Sequence, residues 1–366
     1  MKRIIVSVTN DLTTDQRVHR TCITLVNLNF DVLLVGRKLN SNLPINRPYK
    51  TKRFNLLFNK GFLFYTEYNI RLCCFLIFKR KHILLSNDVD TLLPNFLIGR
   101  LFNIPIVFDS HELFSEVPEL ANRPLVKSIW KKIEQIFIPK IKYKYTVCDS
   151  IADYYKTTYN TSFEVIRNVP MKYINLPDSI ADITLKKNTI LYQGALNKGR
   201  GLELIIETML YLDNSYLYII GDGDLTNELK QLVSELKLTE KVIFLGKIVP
   251  NDLLKITSQA AIGISVEEDL GLNYKYALPN KLFDYIQAKI PVLVSDLPEM
   301  KQVVNQYKIG EIIVDRNPKA VAEIIDLMFQ NSYSYQKNLE IATSALCWEK
   351  EEVKLKEIFY SINQFL

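Results

Sequence analysis

Residues 189–201 read TILYQGALNKGRG. An apolar run over 189–193 is followed by three glycines interleaved with Lys198 and Arg200, and a helical pattern begins at 202. A short apolar run that ends at a glycine predicts a strand buried on both faces. The loop places two cations where backbone amides and the helix dipole already favour an anion. It matches neither GxxxxGK[ST] nor GxGxxG, so a solvated loop with ordinary lysines remains an alternative.

The same alternation of strand and helix extends in both directions from this segment. Strands are predicted at 4–8, 31–35, 83–86, 104–108, 145–148, 189–193, 216–220, 242–245, 261–265 and 291–294. Helical patterns lie between them, for example at 15–28, 202–210, 225–236, 281–288 and 319–329. Strands that alternate with helices predict parallel sheets covered by helices, which is an α/β fold.

The chain of 366 residues is long enough for two domains. Residues 170–188 contain two prolines and little periodicity, and they separate the two series of strands, so we interpret them as a linker. The prediction is two Rossmann-like domains, at 1–169 and 189–347. A C-terminal amphipathic helix at 348–366 is expected to pack back toward the first domain.

Composition excludes several classes of protein. Hydrophobic residues make up 48% of the chain and charged residues 23%, unlike a disordered or collagen-like chain. The five cysteines include no CxxC pair, which favours buried thiols in a reducing compartment over disulfides or a zinc site. The first apolar run is too short for a signal peptide, and no long uncharged apolar stretch predicts a membrane span. We therefore expect a soluble, cytoplasmic protein.

Charge and glycine are distributed unequally between the two halves. Residues 1–170 carry 25 Lys and Arg against 14 Asp and Glu, whereas residues 171–366 carry 21 against 26. Eight of the 12 glycines lie between Gly194 and Gly271, in the second half. A basic half is typical of contact with an anionic surface, and clustered glycines are typical of close backbone approach to a ligand.

Ligands of open α/β sheets bind beyond the carboxyl ends of the strands. In the first half, Asp15, Arg17 and His19 follow the strand at 4–8, and His111 follows the strand at 104–108. Asp15 either caps the next helix or lies with Arg17 on the acceptor side of a cleft. His111 either touches a substrate hydroxyl or phosphate or simply bonds its own loop.

In the second half, two more segments follow strands. Residues 221–224 read GDGD, a weak signal by itself, and residues 265–288 read SVEEDLGLNYKYALPNKLFDYIQA. Asn280 is a good N-cap, so the helix is expected to begin near Lys281. A lysine in a first turn is disfavoured by the helix dipole unless an anion is shared there. Asp284 lies on the same helix face and could accept ribose hydroxyls.

Together these ordered motifs resemble the GT-B glycosyltransferases, specifically the large retaining group called family four, or glycosyl transferases group 1. The resemblance extends over essentially the whole chain and implies two Rossmann-like domains with parallel sheets facing across a cleft. Residues 268–272 match the start of the Glu-rich motif of that group, and Asp284 stands where its second glutamate is expected. Residues 109–112 resemble the acceptor-domain motif whose histidine contacts the donor sugar.

The resemblance implies roles for individual residues. Glu268 would bind the donor sugar, Asp284 the ribose, and Lys198, Arg200 and Lys281 the diphosphate. The implied catalytic residues are His111, Lys198, Arg200 and Glu268. The implied donor-binding residues are Gly194, Asn197, Gly223, Leu272, Asn280, Lys281, Leu282 and Asp284.

The sequence departs from the family pattern in three respects. Glu268 and Asp284 are sixteen residues apart, twice the usual spacing, with 273–280 as the apparent insertion. The second acid is an aspartate, one methylene shorter than glutamate, and Ala195 stands where an arginine is usual.

The implied activity is that of a retaining, hexosyltransferase-like enzyme acting on a nucleoside diphosphate sugar. The acceptor is expected to be a glycan or a lipid-linked molecule in cell-surface polysaccharide or glycolipid biosynthesis. Fixed cations aimed at the leaving diphosphate supply electrostatic stabilisation, so no cofactor and no divalent metal are expected. The triplets at 88–90 and 222–224 have the form D-x-D, but Asp88 is expected to cap a helix and Asp224 to lie in a turn.

Residues 123–144 hold seven Lys and Arg against Glu134, interleaved with large apolar residues on a helical pattern. This pattern favours an anionic membrane surface, on the inner face of the membrane, although a core helix with a solvated basic face remains an alternative. Nucleic acid is not an expected partner, because no nucleic-acid motif accompanies the charge. Two other interpretations stay open: a sugar-nucleotide epimerase of the same fold, and a non-catalytic nucleotide-sugar-binding subunit.

Overall fold

The computed structural model describes residues 1–13, 15–39, 45–120, 123–172 and 183–363. The chain divides into an N-terminal unit, Met1–Asn168 with Lys350–Leu366, and a C-terminal unit, Val169–Glu349. The boundary after Asn168 thus lies one residue before residue 169, the predicted end of the first domain. Within the predicted linker at 170–188, residues 173–182 lie outside the described part of the chain.

The N-terminal unit is built on a seven-stranded sheet in the order β3-β2-β1-β4-β5-β6-β7. Its strands are β1 (Arg3–Asp11), β2 (Asp31–Arg37), β3 (Lys50–Phe54), β4 (Ile83–Asn87), β5 (Ile106–Ser110), β6 (Tyr143–Thr146) and β7 (Glu164–Val165). Its helices are α1 (Gln16–Asn27), α2 (Gly61–Phe78), α3 (Leu92–Leu101), α4 (Pro124–Phe137) and α5 (Asp149–Tyr159). The strand order reverses between β1 and β4, which is where such sheets bind ligands.

The C-terminal unit is built on a six-stranded sheet in the order β10-β9-β8-β11-β12-β13. Its strands are β8 (Thr189–Gln193), β9 (Tyr216–Ile220), β10 (Val242–Gly246), β11 (Ile262–Ser265), β12 (Val292–Ser295) and β13 (Gly310–Ile313). Its helices are α6 (Leu202–Thr208), α7 (Thr226–Glu235), α8 (Pro250–Thr257), α9 (Leu272–Lys275), α10 (Asn280–Gln287), α11 (Pro298–Tyr307), α12 (Pro318–Gln330) and α13 (Gln336–Ala345). The strand order reverses between β8 and β11.

Both sheets are parallel between every pair of described strands, as the alternating pattern predicts. All five residues of β8 are buried. Successive side chains of a strand point to opposite faces, so Ile190 and Tyr192 join one apolar core of this unit while Leu191 joins the other. This double burial is the reason the strand at 189–193 is visible in the sequence as an uninterrupted apolar run.

The last helix, α14 (Trp348–Asn363), lies mostly in the N-terminal unit. Phe359 packs edge-on against Phe30 with ring centroids 6.1 Å apart. Glu352 accepts a hydrogen bond from Thr24 Oγ1 at 3.1 Å, and the buried Glu351 accepts one from the backbone of Arg167 at 3.1 Å. The C-terminal helix thereby completes the unit in which the chain began.

The sequence analysis misses three strands: β3, β7 and β13. β3 reads KTKRF, and its residues are mostly exposed or half-buried, so it lacks the apolar run on which the prediction depends. All five cysteines are free thiols. Among the described residues, no helix combines the length and apolarity needed to cross a membrane.

Candidate functional site

The loops after β8 and β9 are joined to each other by backbone hydrogen bonds. Gly194 N donates to Ile220 O at 2.9 Å, and Leu196 N donates to Asp222 O at 3.3 Å. Gly194 and Gly221 have φ of 139° and 136°, which other residues rarely adopt. A Cβ at Gly221 would lie 1.8 Å from Gly194 O, so the two loops can approach this closely only because Gly221 carries no side chain.

The GDG turn is held by side chains as well. Asp222 Oδ1 accepts from Gly223 N at 2.9 Å and from Thr226 Oγ1 at 2.7 Å. Asn197 Oδ1 accepts from Asp224 N at 3.2 Å, and a Cβ at Gly223 would lie 2.4 Å from that oxygen. Asn197 and Gly223 therefore fix the two loops against each other, a structural role beside the donor contact expected of them.

A buried charge cluster lies at the carboxyl ends of β8 and β11. Lys281 Nζ is 2.7 Å from Glu267 Oε1 and 4.1 Å from the centre of the Tyr192 ring. Arg200 Nη1 is 3.6 Å from the same carboxylate oxygen, and Ser265 Oγ donates to Glu267 Oε2 at 2.8 Å. Two cations thus share one buried anion, which leaves the cluster with an excess of positive charge.

Burial and pairing act in opposite directions on this cluster. Burial opposes the Glu267 carboxylate, but the Lys281 ammonium outweighs that effect and lowers the pKa of Glu267. Burial lowers the pKa of Lys281, with Glu267 opposing the change and Arg200 adding to it. The neighbouring Arg200 Nε is buried and has no hydrogen-bond partner among the described residues. An anionic ligand would satisfy these donors.

Glu267 is the residue that sequence reasoning missed. The prediction chose Glu268, whose side chain is half-buried and has no ion pair or side-chain hydrogen bond within the described ranges. Its backbone N donates to Gly199 O at 2.9 Å, which joins the loop after β11 to the glycine-rich loop. The sequence signal that could have found Glu267 is its position. It lies two residues beyond Ser265, the last residue of β11, and alternate residues of an extended chain point to the same side.

The glycine-rich loop carries its other cation outward. Lys198 is exposed, and its backbone oxygen accepts a hydrogen bond from Tyr274 Oη at 3.0 Å. The Tyr274 ring packs over Gly199, where a Cβ would lie 2.8 Å from Cε1, and its centre is 5.5 Å from the Arg200 guanidinium. The apparent insertion at 273–280 thus packs against the glycine-rich loop through Tyr274, and part of it forms the short helix α9.

Asp284 is held in place from the end of β8. Its Oδ2 accepts from Gln193 Nε2 at 3.0 Å, and Gln193 Oε1 accepts from Thr257 Oγ1 at 2.8 Å. Lys281 and Asp284 therefore share a helix face, as predicted, and both lie beside the β8 loop. A Cβ at Gly194 would lie 3.9 Å from Lys281 Cε, which places the two predicted residues in van der Waals range.

Two of the predicted donor residues, Asn280 and Leu282, are placed differently from the expectation. Asn280 is the first residue of α10, and Pro279 occupies the N-cap without a side-chain hydrogen bond, so the predicted Asn280 cap is wrong. Leu282 is completely buried in an apolar core, and its side chain is inaccessible to a ligand. Leu272 is half-buried at the start of α9, directly after Gly271.

In the N-terminal unit, His111 lies between two carboxylates. Its Nε2 is 3.0 Å from Asp109 Oδ2 and its Nδ1 is 3.2 Å from Asp88 Oδ2. Asp88 also accepts from His111 N at 2.7 Å and makes no capping bond, so the prediction that it caps a helix is wrong. Both ring nitrogens of His111 are thus engaged by carboxylates, one on β5 and one in the loop after β4, and its contact with a substrate stays a prediction.

These contacts set the protonation of the network. Burial opposes the imidazolium, but Asp88 and Asp109 outweigh it and raise the pKa of His111 to about 9. Burial also opposes the Asp109 carboxylate, but Arg17 and His111 lower its pKa to about 2. Burial raises the pKa of Asp90 to about 8, with the Asp88 charge adding to the effect. At neutral pH His111 is therefore a cation.

The two residues predicted on the acceptor side are structural. Arg17 is buried, donates to both carboxylate oxygens of Asp109 at 3.0 and 2.7 Å, and donates to Ile166 O at 3.0 Å. Asp15 is the N-cap of α1 and accepts from Val18 N at 3.0 Å, which was the alternative stated for it. The prediction that Arg17 contacts an acceptor is wrong, because its guanidinium is buried and bonded within the N-terminal unit.

The basic segment at 123–144 is not one helix, since α4 ends at Phe137 and β6 begins at Tyr143. Lys127 and Lys131 both pair with Glu116, at 2.6 and 2.8 Å, and Lys144 is buried. Glu134 is buried too and accepts from Ser115 and Tyr159. The segment therefore presents fewer free charges than its sequence suggests.

Within the described ranges, no group of three or more His, Cys, Asp or Glu side chains is placed to hold a metal ion. The triplet at 88–90 belongs to the His111 network, and the triplet at 222–224 belongs to the GDG turn.

Residues 178–344 match the family described as glycosyl transferases group 1. The O-antigen chain mannosyltransferase RfbU of Salmonella typhimurium is 31% identical over 163 residues, 43% of this chain and 42% of that protein. An N-acetylgalactosamine-N,N'-diacetylbacillosaminyl-diphospho-undecaprenol 4-alpha-N-acetylgalactosaminyltransferase of Campylobacter jejuni is 42% identical over 69 residues, 19% of each chain. The matches thus span less than half the length of these relatives.

Solved structures share the whole fold. The sucrose-phosphate synthase of Thermosynechococcus elongatus aligns over 100% of both chains with a TM-score of 0.80 and 15% identity. The Anabaena protein HepE in complex with UDP-glucose aligns over 99% of this chain and 100% of that chain, with a TM-score of 0.73 and 13% identity. The chain thus has the fold of GT-B glycosyltransferase structures, with two Rossmann-like domains, as predicted.

Proposed function

We propose that this chain is a group 1 glycosyltransferase that transfers a hexose from a nucleoside diphosphate sugar, with retention of anomeric configuration and without a metal. The acceptor is a lipid-linked glycan of cell-surface polysaccharide or glycolipid biosynthesis. The family match over 178–344 and the named activities of the relatives support a glycosyltransferase.

One observation carries the proposal: the cations Lys281 and Arg200 converge on the single buried carboxylate of Glu267 beneath a glycine-rich loop. The cluster lies at the strand-order reversal between β8 and β11, where open α/β sheets bind ligands. Its excess positive charge and the unpartnered Arg200 Nε fit a diphosphate. The exposed Lys198 stands on the same loop and adds a third cation.

Transfer breaks the bond between the anomeric carbon and the diphosphate, and negative charge gathers on the leaving oxygen. Lys281 and Arg200 are already fixed by Glu267, so they stabilise that charge without reorganising. Asp284, held by Gln193, accepts hydrogen bonds from the ribose hydroxyls, and Glu268 accepts hydrogen bonds from hydroxyls of the transferred sugar. The acceptor hydroxyl attacks from the face that the leaving group vacates, and its proton passes to the leaving diphosphate oxygen as the new bond forms.

The acceptor side involves the N-terminal unit, which carries the positive net charge. On α4 the exposed face carries Leu125, Ile129, Lys132 and Ile136, a pattern of large apolar residues with a cation. Such a face binds to the interface of an anionic membrane. We place the enzyme on the inner face of the membrane, where its lipid-linked acceptor lies.

Donor binding is tested by thermal shift with UDP, GDP, ADP and TDP, each with and without EDTA. A ligand at a hundredfold its dissociation constant stabilises by about 2.7 kcal/mol, which raises the melting temperature by several degrees. We expect one nucleoside diphosphate to stabilise the protein regardless of EDTA, and Arg200→Gln to lose that stabilisation. Lys337→Met, an exposed lysine on α13, is the matched control and should behave as the wild type.

Catalysis is tested with the nucleotide sugar of the base so identified. Release of nucleoside diphosphate only when a lipid-linked glycan acceptor is added, with the anomeric configuration retained in the product, supports the proposal. Conversion of the sugar nucleotide without acceptor would show an epimerase instead. Turnover that requires a second protein would show a nucleotide-sugar-binding subunit.

Membrane binding is tested by co-sedimentation with vesicles of neutral or anionic lipid. We expect binding to anionic vesicles at low salt and release at about 0.5 M salt, where charges are screened within a few ångströms. Leu125→Ser combined with Lys132→Gln should weaken this binding. Equal binding to neutral vesicles, or none to anionic ones, contradicts the membrane part of the proposal.

A further inference from the structure

A cavity of about 660 Å³ opens between α2 and α4 in the N-terminal unit. Its lining is mostly apolar, and the residues that form its walls include Phe62, Tyr65 and Ile70 from α2 and Val126, Ile129 and Trp130 from α4. This volume lies within the range of pockets that bind small molecules. The cavity belongs to one unit alone and is separate from the charge cluster beneath the glycine-rich loop.

The inner wall of this cavity is a fixed aromatic cluster. Trp130 packs edge-on against Tyr65 and Phe114, with ring centroids 5.2 and 4.9 Å apart. Asn69, at the floor, donates to Tyr65 O at 2.7 Å and to Asp90 O at 2.9 Å, so its amide is already bonded to the protein. The walls are therefore preformed and offer a ligand apolar contact.

The outer edge of the cavity is apolar as well. Phe62 is 68% exposed and Ile70 59% exposed on α2, and Ile129 is 49% exposed on α4. All three line the cavity and also face solvent. Large exposed apolar residues around an apolar cavity mark a binding site for an apolar group rather than a water-filled cleft.

Two charged residues complete the lining, Arg123 and Glu112. Arg123 is exposed, and its guanidinium makes no ion pair with the described residues. Lys127 and Lys131, on the same helix, are already paired with Glu116. Arg123 is therefore the lining cation placed to bind an anionic head group, whereas the Glu112 carboxylate, next to His111, can accept hydrogen bonds from sugar hydroxyls.

We propose that this cavity binds the hydrocarbon chain of the lipid-linked acceptor, with the phosphate of the lipid on Arg123. The inference rests on the proposed function in one respect, since it takes the acceptor to be lipid-linked. It adds a specific site: one chain leaves the bilayer and occupies the space between α2 and α4. A partner helix fits less well, because a cavity of this size holds little more than about one helical turn.

The test measures binding of n-alkyl phosphates, from hexyl to dodecyl, to the full chain by calorimetry, below the micelle concentration and without vesicles. Inorganic phosphate is the probe without a chain. Affinity should rise by up to about fourfold for each added methylene, the value of burying one such group. Absence of dodecyl phosphate binding, or affinity independent of chain length, overturns the proposal.

Two neighbouring residues provide a matched pair of variants. Val126 lines the cavity, whereas Ser128 is exposed and is not part of the lining. Val126→Phe fills the cavity and should weaken dodecyl phosphate binding by at least about tenfold, while Ser128→Phe should change it by less than about twofold. Equal effects of the two variants overturn the proposal. If Val126→Phe does not fold, Thr66→Met fills the cavity from α2.

The head group is tested separately. Arg123→Gln should weaken binding of dodecyl phosphate by about fivefold and leave binding of the uncharged dodecyl maltoside unchanged. An equal loss for both probes contradicts the assignment of Arg123. Thermal shift with nucleoside diphosphates on the same proteins separates the two proposals. If only the cavity proposal is wrong, nucleoside diphosphates still stabilise the protein; if only the donor-site proposal is wrong, dodecyl phosphate still binds.

Discussion

Lys281 Nζ lies 2.7 Å from Glu267 Oε1, and both side chains are buried. The lysine lies in the first turn of α10 and the glutamate follows β11, so the ion pair joins the two elements that flank the proposed diphosphate site. Two cations and one anion meet there, because Arg200 shares the same carboxylate. The pair keeps the cations in place before any ligand arrives.

Glu267→Gln should separate stability from nucleotide binding. Loss of one partner of a buried pair costs about 3 kcal/mol or more, so the melting temperature without ligand should fall. The remaining cations then have no competing anion, so the nucleoside diphosphate should bind several-fold more tightly than to the wild type. Thermal melts and calorimetry of the same protein test both signs, with Glu268→Gln as the control for charge number. A fall in both quantities contradicts the expected competition between Glu267 and the ligand, and would show that positioning of the cations by Glu267 has the larger effect.

Gly221→Ala should abolish the joined loops at the donor site. A Cβ there would lie 1.8 Å from Gly194 O, whereas a Cβ at Gly271 meets nothing within 4 Å, although φ is similar, at 136° and 128°. Gly271→Ala therefore carries only the backbone cost, about 1–3 kcal/mol, and Gly221→Ala carries the steric clash in addition. Comparison of the two melting temperatures isolates the clash. Equal melting temperatures would show that the loops are not packed this closely.

Removal of Arg17 should affect folding rather than acceptor affinity. Arg17→Met leaves Asp109 buried without its bidentate partner and should cost about 3–5 kcal/mol. Arg17→Lys should recover only part of this, because an ammonium cannot make the paired contact. The double variant Arg17→Met/Asp109→Leu should be less destabilised than Arg17→Met alone. An unchanged KM for the acceptor in Arg17→Lys completes the test, and a large rise in KM would favour the acceptor role.

The His111 network predicts a loss of stability in alkaline solution. The folded-state pKa of His111, about 9, lies above its unfolded value near 6.5, because Asp88 and Asp109 outweigh the effect of burial. Its stabilisation is therefore fully present below pH 6.5 and is lost as the pH rises through 9, a change of about 3 kcal/mol. The pKa of Asp90 is raised to about 8, so its protonated carboxyl also stabilises the folded state less as the pH rises.

Hydrogen exchange of β4 and β5 amides between pH 6 and 9, corrected for intrinsic rates, measures this loss. His111→Gln should remove the part of the dependence between pH 8 and 9 and leave the part that Asp90 contributes below pH 8. His19→Gln is the control, because burial lowers the pKa of His19 to about 4 and keeps the ring neutral throughout this range. A steep dependence above pH 8 that persists in His111→Gln would assign the effect to other groups.

Parallel sheets and most of their strands could be anticipated because buried strands need continuous apolar runs, which the sequence shows at 189–193 and 83–86. The edge strands β3, β7 and β13 could not: β3, for example, is polar and mostly exposed or half-buried, and no local pattern distinguishes it from a loop. The glycine-rich loop and Lys281 were found because their chemistry is local. Glu267 was missed because two adjacent glutamates are equivalent in sequence until the direction of the chain after β11 is known.

The sequence by itself determined the alternation of strands and helices, the anion-favouring loop at 194–201 and the lysine of α10, since each depends on residues close together in the chain. Only the tertiary structure decided which charges are free. Arg17 reaches Asp109 across 92 residues, Lys127 and Lys131 share Glu116, and Lys281 meets Glu267. Such ion pairs cannot be recognised from the residues next to each charge in the sequence, because burial and pairing depend on how the folded chain packs.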